Sequence, residues 1–128
     1  MGGEWSELAG LRFTPDGQLL ICEMGNRRVT AIDANGQMSI LADKLEGRRF
    51  NSPNDLWVDP KGGIYFSDPR YGADDDTEME GDHVYYISPD RTKIRSVADD
   101  LVRSNGIVGT TDGSRLYVAD HGAGRTYV

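Results

Sequence analysis

The fold is decided by Asp55-Leu56-Trp57-Val58-Asp59-Pro60-Lys61-Gly62, followed after Gly63 by Ile64-Tyr65-Phe66-Ser67 and then Asp68. A short apolar run enters a turn rich in Pro and Gly, and a second apolar run leaves it and ends on a carboxylate. Gly at the end of such a turn suits the positive φ that a tight reversal needs. The same pattern occurs earlier, at Gly10-Leu11-Arg12-Phe13-Thr14-Pro15-Asp16-Gly17, leading to Leu19-Leu20-Ile21-Cys22 and Glu23. It occurs again at Gly106-Ile107-Val108-Gly109-Thr110-Thr111-Asp112-Gly113, leading to Leu116-Tyr117-Val118-Ala119 and Asp120. Near-continuous apolar runs of this length read as strands covered on both faces.

Working outward, a third strand is predicted at 28–32, 83–87 and 125–128, and a fourth at 38–41 and 94–97. Asn35-Gly36 between third and fourth strands signals a hairpin. No stretch has helical spacing. The repeat begins at residues 10, 55 and 106, so its steps are 45 and 51 residues. Four strands at such a step describe one propeller blade. The predicted fold is all-β: a β-propeller domain of about two and a half four-stranded blades. Its blades fall at 7–45, 53–101 and, incompletely, 104–128. A blade cannot bury its faces alone, and a closed ring needs several. The expectation is a piece of a longer frame, whose partners are the missing blades or further copies of the chain.

Composition narrows the function. Lys and Arg number 14 against 21 Asp and Glu, a formal charge of −7 in 128 residues. Such a chain lacks the basic patch that nucleic acid or an anionic membrane requires. No apolar run approaches the roughly 20 residues of a membrane span. The opening residues Met1-Gly2-Gly3-Glu4-Trp5 do not read as a secretory signal. The expectation is a soluble protein, with cytoplasm and periplasm both left open. Cys22 is the single cysteine. It excludes an internal disulfide and a thiolate-rich metal site, and reads as a buried small hydrophobe.

In a propeller the residue just before each inner strand points at the axis. Here those residues are Ala9, Asn54 and Asn105. Asn carbonyl oxygens are neutral hard ligands, suited to Ca²⁺ or Mg²⁺ and tolerated by Zn²⁺ or Mn²⁺ when carboxylates complete the shell. Either Asn alone reads as a turn former; the shared register favours a metal. Asp68 and Tyr71, in the loop after a second strand, read equally as contacts to substrate hydroxyls or as shapers of the turn. His121, in the matching loop, is a further candidate contact, though a lone loop histidine is more often a surface group. The acidic run 74–82 lacks the glycine and spacing of a calcium loop and reads as solvated.

Three stretches carry a resemblance: Gly25-Asn26-Arg27-Arg28-Val29, then Glu46-Gly47 with Asn51-Ser52-Pro53-Asn54-Asp55, then Phe66-Ser67-Asp68-Pro69-Arg70-Tyr71-Gly72. Asn105-Gly106 with Leu116-Tyr117-Val118-Ala119-Asp120 adds to it. From about Leu8 onward the chain resembles bacterial gluconolactonases of the SMP-30/gluconolactonase/LRE-like family. The resemblance implies a six-bladed propeller that hydrolyses lactones, typically sugar lactones, at one catalytic divalent metal on its axis. It implies four ligands: a glutamate from the first blade, two asparagines, and an aspartate from a later blade. Asn54 and Asn105 match the asparagines. The glutamate's Glu-Gly-Pro motif has no counterpart here, and Asp16-Gly17 and Asp112-Gly113 lie in turns where the aspartate does not belong. The expectation is half of a metal site, with Ca²⁺ ahead of Zn²⁺, Mg²⁺ or Mn²⁺, the general base outside the chain, and an inactive isolated fragment. Ser52 falls where some relatives place a substrate-binding arginine. The partner expected is a small-molecule lactone. The alternative is a non-enzymatic, NHL-like propeller scaffold, which flanking sequence would tell apart.

Overall fold

The hairpin turns explain why the chain folds back on itself so regularly. In the computed structural model, which describes residues 8–70, 77–122 and 124–128, the Asp59 N–H donates to Gly63 O and the Gly62 N–H to Asp59 O, at 2.8 and 3.0 Å. Gly62 sits at φ 93°, where a side chain would be strained. The Asp59 carboxylate accepts the amides of Lys61 and Gly63, which fixes the reversal from within. The same bonds recur around Thr14, Asp33 and Thr110. Asn35-Gly36 therefore forms its hairpin through Asp33, with Gly36 alone at positive φ.

Within the described residues every regular element is a strand. β1 (Leu8–Phe13), β2 (Leu19–Glu23), β3 (Arg28–Ile32) and β4 (Met38–Ala42) form one sheet in chain order. β5 (Lys44–Leu45) and β6 (Arg48–Arg49) form a small hairpin. β7 (Leu56–Val58), β8 (Ile64–Asp68), β9 (Asp82–Ile87) and β10 (Ile94–Leu101) form a second four-stranded sheet. β11 (Ser104–Gly109), β12 (Leu116–Asp120) and β13 (Arg125–Tyr127) form a third. All pairs are antiparallel. The first strands of successive sheets touch, β1 with β7 and β7 with β11. This is the β-propeller architecture, with those three strands innermost. No helix among the described residues is long and apolar enough to cross a membrane.

The β5–β6 hairpin has no apolar signal in the sequence. Turn chemistry makes it: Glu46 and Gly47 are both at positive φ, 54° and 79°, as a two-residue reversal of right-handed strands requires. Arg49 also reaches the Glu78 carboxylate through its backbone N–H and its guanidinium.

Blade faces close on two apolar clusters. Leu20, Cys22, Val29 and Ala31 of the first sheet meet Leu56, Ile64, Phe66, Tyr85 and Ile87 of the second. Phe50, from the connection, is fully buried between them, edge-on to Phe66 and Tyr85 at 5.2 and 4.9 Å between centroids. Cys22 is buried as expected, and burial pushes its thiol well above the usual value. The second cluster joins Val84 and Leu101 to Ile107 and Val118 of the third sheet, with Trp57 and Tyr65 packed against it.

Candidate functional site

Each inner strand begins with a β-bulge at the same register. β1 pairs Leu8 with Glu23 and then Leu11 with Ile21, so Ala9 and Gly10 together oppose Cys22. β11 pairs Ser104 with Asp120 and then Ile107 with Val118, so Asn105 and Gly106 oppose Ala119. Ahead of β7 the Asn54 N–H donates to Ser67 O while the Ser67 N–H donates to Asp55 O, both at 3.0 Å; Asn54 and Asp55 thus oppose Ser67. A bulge re-aims the side chain it carries, and bulges are frequent beside active sites. The positions predicted to face the axis, Ala9, Asn54 and Asn105, are therefore the leading residue of each bulge. All three are half-buried.

Bonds between blades hold these bulges together. The Gly10 N–H donates to Asn54 O at 2.6 Å. A Cβ on Gly10 would lie 2.8 Å from Asp55 Oδ1 and 2.9 Å from Asn54 O, so only glycine permits that approach. Between the second and third blades, the Ile107 N–H donates to Asp55 Oδ2 at 3.0 Å and the Ser67 hydroxyl to Asn105 O at 2.5 Å. Asn54 turns its amide nitrogen to the Met24 sulfur at 3.5 Å.

The carboxylates that end the second strands point inward. Asp68 is fully buried; its Oδ2 accepts the Asn51 N–H at 2.8 Å and its Oδ1 the Ser52 N–H at 2.9 Å. Burial pushes this carboxyl up to about 7, against the pull of those two amides. Asp120 repeats the clamp on the amides of Val102 and Arg103 at 2.8 and 2.7 Å. In both blades the clamped pair lies just upstream of the asparagine that leads the bulge. Asp68 therefore has no surface to offer a substrate hydroxyl, and its geometry supports the turn-shaping role of the two weighed for it. Glu23, also fully buried, bonds Thr30, Asn26 and Arg28 instead; burial raises its carboxyl but those bonds outweigh it and hold it below the usual range.

His121 is exposed and lines, with Asn105 and Arg125, a cavity of about 380 Å³ on the third blade. Asn105 and His121 are thus brought together, while Tyr71 lies outside the described residues. Among the described residues no three His, Cys, Asp or Glu side chains converge to hold a metal. The donor chemistry of Asn54 and Asn105 fits a hard divalent cation as the neutral part of a shell, which carboxylates must complete. Sequence reasoning gave no role to Asp55 and Ser67; the signal was there, since the other two blades carry Gly and a small apolar residue at those places.

The profile of the SMP-30/Gluconolactonase/LRE-like region matches residues 4–128. A gluconolactonase of Zymomonas mobilis is 35% identical over 117 residues, covering 87% of this chain and 33% of its own. The lactonase drp35 of Staphylococcus saprophyticus is 32% identical over 125 residues, covering 93% of this chain and 36% of its own. The solved structure of XC5397, a gluconolactonase from Xanthomonas campestris, superposes with a TM-score of 0.81 at 34% identity, over 91% of this chain and 41% of that one. The chain thus spans about a third of the length of the curated relatives it matches.

Proposed function

Because the chain belongs to the SMP-30/gluconolactonase/LRE-like family, we propose that it supplies one arc of a divalent-metal-dependent hydrolase acting on a sugar lactone of the gluconolactone type. The observation that carries this reading is the pair Asn54 and Asn105, set at one bulge register on adjacent inner strands and tied by bonds between their blades.

Asn54 and Asn105 would hold the cation through side-chain oxygens, Ca²⁺ being the first candidate. When bound, such an ion polarises the lactone carbonyl and stabilises the oxyanion formed on attack by water. The chain's own residues orient. The bulges aim the two amides, and the Asp68 and Asp120 clamps fix the turns that lead into them. His121 and Arg125, which line the cavity beside Asn105, would meet sugar hydroxyls. The base that takes the proton from water is assigned to another part of the propeller, as are the charged ligands.

The test is lactone hydrolysis followed by acid release in a pH-stat, with limiting Ca²⁺, in the propeller completed by its remaining blades. Asn105→Ala or Asn54→Ala should reduce metal affinity by more than about 100-fold, exceeding the loss typical of residues that only support a ligand. The 128-residue chain alone should show little or no hydrolysis. Full activity of Asn105→Ala at limiting metal would overturn the reading in favour of a binding scaffold.

A further inference from the structure

The bulge of the second blade differs from the other two in a way the fold does not require. Its second residue is Asp55, where the first and third blades have Gly10 and Gly106. The residue opposite is Ser67, where they have Cys22 and Ala119. Glycine opposite a small apolar side chain therefore suffices to build the bulge. The two polar side chains spend their bonds elsewhere. Asp55 Oδ1 accepts the Leu56 N–H of its own strand at 2.9 Å, and Oδ2 accepts the Ile107 N–H of the next blade at 3.0 Å. The fully buried Ser67 hydroxyl accepts the Asp55 N–H at 3.2 Å and donates to Asn105 O. The second blade thus grips the third on both sides of Gly106, at the carbonyl before it and the amide after it.

We propose that Asp55 and Ser67 are positioning residues that set the distance and orientation between the two amide ligands, Asn54 and Asn105. The inference rests on the reading of these asparagines as metal ligands. Asn54 is bonded covalently to Asp55 and paired through its backbone with Ser67. From across the blade interface Ser67 holds Asn105 by its carbonyl and Asp55 holds Ile107, two residues on, by its amide. One rigid unit of two side chains therefore carries both ligands. The bonds run to backbone atoms, so they fix where the Asn105 Cα lies and how its side chain departs. They also satisfy an amide and a carbonyl on the inner edge strand, which would otherwise stand open. A ligand pair aligned in advance loses less freedom when the ion arrives.

The closing experiment uses Mn²⁺ as probe on the propeller completed by its remaining blades, which supply the charged ligands. Its paramagnetism broadens the side-chain amide resonances of Asn54 and Asn105, and a titration of both signals gives one apparent affinity. Ser67→Ala, which copies the third blade, and Asp55→Asn should each weaken that affinity by about 10-fold or more, as removal of a ligand's support does elsewhere. Ser67→Thr keeps the hydroxyl and should recover part of the loss. Ile87→Val, in the core and away from both residues, should lower the unfolding midpoint without changing Mn²⁺ affinity, which separates positioning from stability. If the completed wild-type propeller leaves both resonances sharp, the metal reading fails and the proposal falls with it. If it binds and both variants bind within twofold of it, the metal reading stands and the positioning role is overturned.

Discussion

In the first blade the inner bulge carries Ala9 and Gly10 opposite Cys22; in the second it carries Asn54 and Asp55 opposite Ser67. The backbone is the same and the chemistry is opposite. The first blade has no polar side chain at the register and meets its neighbour by the close approach of Gly10. The second has a polar side chain at every position of the bulge and reaches across to the third. Propeller geometry thus asks only for a bulge and room around it, while the candidate site asks for particular atoms at one of the repeats.

What both blades share can be broken at Phe50, which belongs to neither sheet and is buried by both. Phe50→Ala removes its contacts to Phe66 and Tyr85 and should cost about 3–5 kcal/mol, the range for large core aromatics. Urea unfolding followed by tryptophan fluorescence checks this. A loss under about 1 kcal/mol would mean that the first two blades do not share a core.

The approach of Gly10 to the second blade gives the next largest effect. Gly10→Ala would place a methyl group 2.8 Å from Asp55 Oδ1 and 2.9 Å from Asn54 O. The blades must separate or Asp55 must turn, at about 1–3 kcal/mol by the usual cost of overpacking. Turning Asp55 also releases the Ile107 amide, so hydrogen exchange at Ile107 should speed up. Ile107 exchange unchanged from wild type would show that the first and third blades are not coupled through Asp55.

The strands were legible because turn chemistry repeats: each Pro- or Thr-containing reversal with its Gly marks a hairpin and hence two strands. The axis-facing register was legible as an alignment, though not as a bulge, which only the pairing reveals. Asp55 and Ser67 stand out against the other two blades in sequence, but what they grip was not legible, because Ser67 meets a residue 38 positions away and Asp55 one 52 positions away. Nor was the inward turn of Asp68. A carboxylate at a strand end reads the same from sequence whether it meets solvent or two backbone amides.

Glu23 and Asp68 occupy the same end of the second strand in the two blades and should respond to pH in opposite directions. Glu23 lies below its ordinary range, so its contribution is present above the unfolded value of 4.5 and is lost as pH falls through the folded one. Asp68 rises from 3.8 to about 7, so its contribution is complete below 3.8 and is lost as pH rises through about 7. Asp82, raised by burial to about 6 and electrostatically coupled to Asp68, adds to the same loss. The urea midpoint of wild type should therefore fall from pH 5 to pH 8. Asp68→Asn should flatten that fall, and Glu23→Gln should leave it intact while removing part of the decline below pH 4.5. A midpoint that rises from pH 5 to pH 8 in wild type would contradict the buried, proton-retaining Asp68.

The smallest effect concerns the outer turns. In the first blade the reversal between β3 and β4 places Gly36 at φ 81°, with its N–H on Asp33 O. In the second blade the reversal between β9 and β10 places Arg91 at φ 64°, with its N–H on Ser88 O. One turn uses the residue that adopts this conformation freely and the other does not. The strain on Arg91 is about 1 kcal/mol or somewhat more. Glycine gains freedom in the unfolded chain, which takes back about 0.4–1 kcal/mol. Arg91 is half-buried, so its aliphatic stem also gives up some contact when removed. Arg91→Gly should therefore stabilise by only about 0.5 kcal/mol, the difference between the strain and the entropy. Arg91→Ala keeps the strain and loses the stem, so it should destabilise. Opposite signs for the two variants in paired urea titrations would show that backbone conformation, rather than the guanidinium, decides this turn. Equal destabilisation by both would show that the second blade holds its outer turn through the Arg91 side chain, and that the likeness to Gly36 is one of shape alone.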